Sequence, residues 1–433
     1  MESEGRTVGL LGAISIGIGG MVGGGIFAVL GEAVSLAHGA TAVAFLIAGI
    51  VALLTSYSYA KLSVRYQNRG GTVVFIDNAF SHNLLSASIN MLLWLSYLVT
   101  ISLYATAFAS YGQTFFSPDS PVVLRHVLIS VAILLPSLIN LVSASLVSRS
   151  ESLIVMIKIT LLVVIIVSGI SYVDTDRLSP VHWEGPLGII TAGMIIFVAY
   201  EGFELIANAA EEIKNPIISL PRAFYGSTIF VILLYILISI VCVGTVPEEQ
   251  LLKAKDYALA FAAKPALGQT GFIVVAIAAL LSTFSAINAT IYGNARLGYF
   301  LAKEGELPKK LSRERATVPS NDIVVISLFS LLIANTIELT EIAIIGSAGF
   351  LLIFAIVNMA AFKLASEIGA SRIVIAAALL FSSAALVVLL LHTWSSNPRA
   401  IVVFFCFTGS SILFELLYGR LVRGHFFRRA YDR

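Results

Sequence analysis

The chain has 433 residues, 58% of them hydrophobic and only 12% charged, with a mean hydropathy of +0.94. A soluble domain carries roughly 25% charged residues, so about half the usual charge is missing and most of the surface must face lipid. The net charge of +2 argues against a nucleic-acid partner, and no GxxxxGK[ST] loop is present to hold ATP.

A bilayer core of about 30 Å takes about 20 helical residues at 1.5 Å rise each. By that ruler the sequence predicts an all-α integral membrane protein of twelve spans. They cover residues 8–36, 40–65, 86–113, 121–142, 150–172, 187–211, 219–245, 268–300, 321–337, 341–364, 372–392 and 399–420. Met1 to Val8 is short and polar, and no AxA-like cleavage site follows the first apolar run, so that run is expected to remain as span 1. Glu338 and Glu341 crowd the loop between spans 9 and 10. The polar stretches Lys303–Asn321 and Val246–Lys264 each have room for a short surface helix. No Gly/Ser linker divides the chain, which reads as one domain over residues 1–433. Cys242 and Cys406 lie in apolar runs, where they fill the core or face lipid instead of pairing.

Lysine and arginine set the orientation. With the N-terminus on the cytoplasmic side, nineteen of them fall on inner segments, among them Arg149, Arg313, Arg315 and the closing Arg428, Arg429 and Arg433. Six fall outside: Arg125, Arg177, Lys253, Lys255, Lys264 and Arg399. That asymmetry predicts a multi-pass protein of the cell membrane with both termini cytoplasmic.

Two spans carry breaks. Span 1 has six glycines between Gly17 and Gly25, each costing roughly 1 kcal/mol against Ala inside a helix. Close helix packing needs one small residue per turn, not three in a row at Gly23, Gly24 and Gly25, so unwinding is the expectation. Unwound backbone at membrane depth must line a cavity or be buried in protein. Span 6 sets Glu201 and Glu204 around Gly202 in the middle of an apolar run. Mid-span carboxylates are costly and mark function by default, although a pair tied to backbone amides for structure alone is the plainer alternative. First and sixth spans are corresponding places if spans 1–5 and 6–10 are inverted repeats. The half-helix starting near Gly23–Gly25 offers N–H groups to a carboxylate, and the carbonyls of the preceding half around Gly17 to Met21 suit an ammonium. One break can thus hold both ends of a zwitterion such as an α-amino acid. Lys158 sits about 12 Å into span 5, deep enough to act in proton or cation coupling, with snorkelling to the interface as the alternative. The hydroxyls of Ser282 and Thr283 in span 8 carry little alone, since such groups often bond their own helix.

These residues resemble the amino acid–polyamine–organocation transporters, and most closely the archaeal proton-coupled branch. The resemblance spans nearly the whole chain and is strongest in GGMVGGGIF, in the stretch from Ala199 to Ala223, at Lys158, and from Ser285 to Pro308. It implies a LeuT-type fold, with a first inverted repeat over 8–172, a second over 187–364, and two accessory helices over 372–420. The resemblance further implies that the substrate carboxylate binds at Gly23, Gly24 and Gly25, and the amine near Met21, Phe197 and Glu201, beside Tyr200 and Gly202. Lys158 matches the lysine that takes the place of a coupling sodium ion, with expected contacts to Gly19 and to Ser282 or Thr283. An acid at the Glu204 position is linked to proton sensing in arginine/agmatine exchangers, and one at the Glu201 position resembles exchangers of cationic amino acids. The implied function is sodium-independent, proton-coupled amino acid transport by alternating access, using no cofactor and no metal. Exchange of cationic amino acids or amines is the alternative, and a non-transporting nutrient sensor a remote one. Intramembrane catalysis is not expected, because the six histidines lie in loops or near span ends.

Overall fold

The computed structural model describes residues 6–117, 121–142, 144–312 and 319–423, with the side chains of 144–152 and 423 left aside. Arg313, Arg315, Arg428, Arg429 and Arg433 of the basic inner segments, the Arg149 side chain and the N-terminal Met1 to Gly5 lie outside the described residues. Among the described residues every long element is a helix and there is no named strand.

In chain order the helices are α1 (Leu10–Met21), α2 (Gly25–Ala37), α3 (Thr41–Arg65), α4 (Gly71–Phe80), α5 (Leu84–Gln113), α6 (Val122–Val142) and α7 (Ala144–Gly169). Then come α8 (Pro186–Ile195), a 3-10 stretch Ile196–Glu204, α9 (Leu205–Asn208), α10 (Pro216–Thr245), α11 (Glu248–Lys253), α12 (Ala258–Ala262) and α13 (Lys264–Lys303). The last four are α14 (Ser320–Thr336), α15 (Leu339–Lys363), α16 (Arg372–Ser396) and α17 (Pro398–Tyr418). Among the described residues ten spans, α8 to α9 counted as one, are long and apolar enough to cross a bilayer, and the α1–α2 pair, bent by 47°, makes an eleventh. The 17-residue α14 is shorter. Its ends nevertheless reach opposite faces: Asn321 donates to the Lys310 carbonyl, while the Thr336 carbonyl accepts from Arg399. The protein is therefore an all-α, multi-pass membrane protein of LeuT type.

Two polar faces cap the bundle. On the terminal face, Val8 pairs with Ile213, Arg6 bonds Gln67, and Tyr418 reaches the Leu307 carbonyl. On the far face, His38 meets Trp183 and Glu248, and Lys255 pairs with Glu32. Burial sorts the spans: in their most apolar windows 89% of Pro186–Asn208 and 83% of α15 lie inside the protein, against 28% for α6, the Leu153–Tyr172 span, α16 and α17, which form the lipid-facing rim.

Local sequence explains the boundaries. Proline occupies the first turn of α8, α10, α13 and α17, where its missing N–H costs nothing. Glu338 and Glu341 form a capping box that starts α15. α4 lies in a loop between spans where no helix was expected from the sequence. It starts at Gly71, whose φ of 47° suits glycine.

Candidate functional site

The break in span 1 is narrower than its glycines suggest. α1 runs on through Gly17, Gly19 and Gly20 to Met21, closes with Val22 N–H on the Ile18 carbonyl at 2.8 Å, and α2 begins at Gly25. Only Val22 to Gly24 leave the helix. Close approach accounts for the rest: a Cβ on Gly17 would lie 2.6 Å from the Ser227 hydroxyl, and one on Gly20 would lie 2.7 Å from the Gly202 carbonyl. Packing and unwinding thus share the motif.

A helix end leaves carbonyls without partners, and lipid cannot supply them. Here side chains do. Lys158 Nζ donates to the Gly19 carbonyl at 3.1 Å, the Tyr235 hydroxyl to Met21 at 2.7 Å, and the Ser282 hydroxyl to both Val22 and Gly23. Lys158 is 3% exposed, on the inner stripe Val155, Lys158, Leu162 and Ile165 of α7, so it does not snorkel. Thr283, by contrast, bonds back to Ala279 and Leu280 of its own helix.

Span 6 keeps helical form but tightens to 3-10 over Ile196–Glu204. Ser347 of α15 stitches this transition, accepting from Val198 N–H at 3.0 Å and donating to the Ile195 carbonyl. Tyr235 also reaches the Ala199 carbonyl at 3.3 Å, so a single hydroxyl spans both breaks. Gly202 rests on Gly20 backbone to backbone.

The two carboxylates, 4% and 2% exposed, have unlike surroundings. Glu204 is fully engaged: Oε2 accepts from Tyr59 and Thr72, each at 3.1 Å, and Oε1 from Tyr97. Glu201 accepts from Thr100 at 2.8 Å through Oε1. Its Oε2 is buried without a hydrogen-bond partner among the described residues.

A small pocket lies where these groups meet, with internal room for about one water. Of the candidate site residues, Gly19, Lys158, Glu201, Gly202 and Glu204 line it. Gly20 of α1, Tyr97 and Tyr104 of α5, Leu205, and Ser285, Ala286, Ala289 and Thr290 of α13 complete the wall. Met21, Gly23, Gly24, Gly25, Phe197, Tyr200, Ser282 and Thr283 do not line it. Gly23 packs on Ala286, the Tyr104 ring covers Gly24, and Gly25 abuts Ala199. Tyr200 turns away, donating to the Phe45 carbonyl at 2.9 Å, and Phe197 stacks edge-on against Phe354. The tyrosines 59, 97, 104 and 235 escaped the sequence reading; their one signal is a polar ring tip in an apolar span.

Comparison with known proteins finds relatives along nearly the whole chain. The amino acid permease family matches residues 8–413. An uncharacterized protein of Methanocaldococcus jannaschii is 32% identical over the whole of this chain and 99% of its own length. The inner membrane transport protein YbaT of Escherichia coli is 33% identical over 93% of this chain and 95% of its own. Cationic amino acid transporter 9 of Arabidopsis thaliana is 29% identical over 72% of this chain and 58% of its own. A helical bundle with paired breaks, a buried lysine and a family match over nearly its full length leads to one conclusion: the chain belongs to the amino acid permease family, membrane transporters and not enzymes.

Proposed function

We propose that this permease is a sodium-independent, proton-coupled amino acid transporter of the cell membrane, with both termini cytoplasmic. It works by alternating access between a first repeat over 8–172 and a second over 187–364, with 372–420 appended. The observation that carries the reading is Lys158, buried in the pocket wall with its Nζ on the last turn of α1. A charged ammonium there complements the negative end of the α1 dipole and occupies the place a coupling cation would take. Losing the proton removes that charge and weakens the hold on Gly19, which frees α1 to move.

The substrate carboxylate binds the N–H groups that start α2 at Gly23, Gly24 and Gly25, once the Tyr104 ring leaves Gly24. The ammonium takes the carbonyls near Met21 and Phe197, with Glu201 beside them. The unpartnered Glu201 Oε2 favours a cationic side chain on the substrate, in keeping with the relative named as a cationic amino acid transporter.

Proteoliposome uptake of a labelled amino acid panel tests both readings. Acid outside should drive uptake without sodium, and Lys158→Ala should abolish that drive. Uptake that needs internal amino acid and ignores pH would overturn the coupling scheme. Glu201→Gln should lower arginine and lysine uptake more than that of neutral amino acids; equal losses would remove the cationic reading.

A further inference from the structure

Away from the pocket, on the terminal face, the end of α4 meets the loop after α13. Asp77, His82 and Glu306 each present one ligand atom there, and the three atoms lie within 4.8 Å of one another. His82 Nδ1 is 3.3 Å from Asp77 Oδ2. Asn90, in the second turn of α5, points into the same group, its Nδ2 lying 3.2 Å from Asp77 Oδ1 and 3.1 and 3.3 Å from the two Glu306 oxygens. Asn90 is 0% exposed and Glu306 5%. The Asn90 Oδ1 has no hydrogen-bond partner among the described residues.

Asn90 Nδ2 thus donates to both carboxylates and holds them side by side, the outer-shell support that ligating carboxylates usually have. Two carboxylates held together beside an imidazole, with one ligand atom from each of the three within 4.8 Å of the others, form a cluster suited to a cation. From this geometry we propose a divalent metal site formed by Asp77, His82 and Glu306.

One imidazole with two carboxylates is a donor set for Zn²⁺ or Mn²⁺, harder than a thiolate site and softer than an all-oxygen one. Metal–ligand bonds of about 2.0–2.2 Å in a tetrahedral site put ligand atoms about 3.3–3.6 Å apart, a spacing that His82 Nδ1 and Asp77 Oδ2 already have at 3.3 Å and that Glu306 reaches by closing in. The His82 side chain is 44% exposed and provides the way in. No spacing motif signals the site, because Glu306 lies far in sequence from Asp77 and His82.

A bound ion would tie α4 to α5 and to the loop after α13. α4 also carries Thr72, which donates to Glu204 in the pocket wall, so the site grips the helix that helps hold that carboxylate. Binding requires neutral imidazole and ionised carboxylates, so affinity falls with acidification.

The test is calorimetric titration of the purified, chelator-stripped full-length protein with Zn²⁺ and with Mn²⁺. One ion per chain is expected. His82→Ala and Glu306→Gln should each weaken binding by at least about tenfold. Metal-free thermal unfolding of His82→Ala, a change at an exposed side chain, checks that the fold is intact. Absence of saturable one-to-one binding by either ion would overturn the site, as would binding that both variants leave within about twofold. Transport is not part of the readout, so this result stands or falls apart from the coupling scheme.

Discussion

Gly23 offers a test of whether the glycine run serves close packing, backbone N–H groups, or both. Its φ is not positive, so alanine is conformationally allowed there. The difficulty is space: an added Cβ would lie 2.9 Å from the Ala286 Cβ of α13, where ordinary contact needs about half an ångström more. Overpacking of this kind costs about 1–3 kcal/mol, and Gly23→Ala should lower the unfolding temperature and slow uptake. The remaining neighbours, the Gly20 and Gly19 carbonyls at 3.3 and 3.4 Å, are tighter than ordinary contact but less severe. Removing the Ala286 methyl takes away the main clash at an intrinsic helix cost of roughly 1 kcal/mol. The pair Gly23→Ala with Ala286→Gly should therefore be more stable than the sum of the single changes by about 1–3 kcal/mol. Thermal unfolding of the four proteins in one detergent measures that coupling. Alanine keeps the N–H at position 23, so the double variant should also recover the KM for amino acid, if not the full rate. A coupling below about 0.5 kcal/mol would refute the packing argument. Restored stability without restored KM would refute the role of the position 23 amide.

Two further changes probe the contacts around the breaks. Tyr235→Phe removes the hydroxyl shared by the Met21 and Ala199 carbonyls and leaves both buried. The cost should be about 1–3 kcal/mol, read as a lower unfolding temperature with uptake impaired; an unchanged melting curve would show that the bridge between breaks is idle. On the far face Glu32 accepts from Lys255 and from Thr340 at 2.9 Å, its side chain 9% exposed. With Lys255 partly exposed, Glu32→Gln should weaken this closure by about 1–2 kcal/mol, roughly tenfold in opening. In a Ser110→Cys background, a thiol beside Asp256, an impermeant maleimide should then react faster, and equal rates would count against a far-face gate.

Composition and periodicity made much of this architecture readable. The rim helices are long and uniformly apolar, and the glycine run of span 1 announced a break because propensity and position conflict there. Lys158 was legible for the same reason, a cation too deep to be accidental. The hydroxyl network was not. Thr106, Thr245, Thr283 and Thr290 return a hydrogen bond to the carbonyl four residues back, whereas Ser282, Ser347 and Thr72 cross to another element. Nothing in the local sequence separates the two groups, because the choice depends on which backbone lies opposite. The 3-10 form of Ile196–Glu204 is hidden likewise: Ser347, far away in sequence, receives the Val198 N–H that an α-helix would have kept.

The grip on α1 bears on how a proton could be coupled to movement. Three side chains hold the carbonyls of its last turn and the break: Lys158 from α7, Tyr235 from α10 and Ser282 from α13. Hydroxyls donate one hydrogen bond whatever the pH of the compartment, so two of these contacts are constant. An amine changes both its charge and its number of donors when it gains or loses a proton. Of the three, only the Lys158 contact can vary with proton supply. The pocket lies on the terminal-face side of the breaks, bounded by Gly19 and Gly20 before one and by Glu204 and Leu205 at the end of the other. On the far side Glu32, Lys255 and Thr340 close over α2. A proton lost from Lys158 toward the terminal face would therefore loosen α1 while its partner α2 stays pinned. Under the proposed coupling, that asymmetry would let one protonation step favour one direction of opening, and would place the coupling in a single bond.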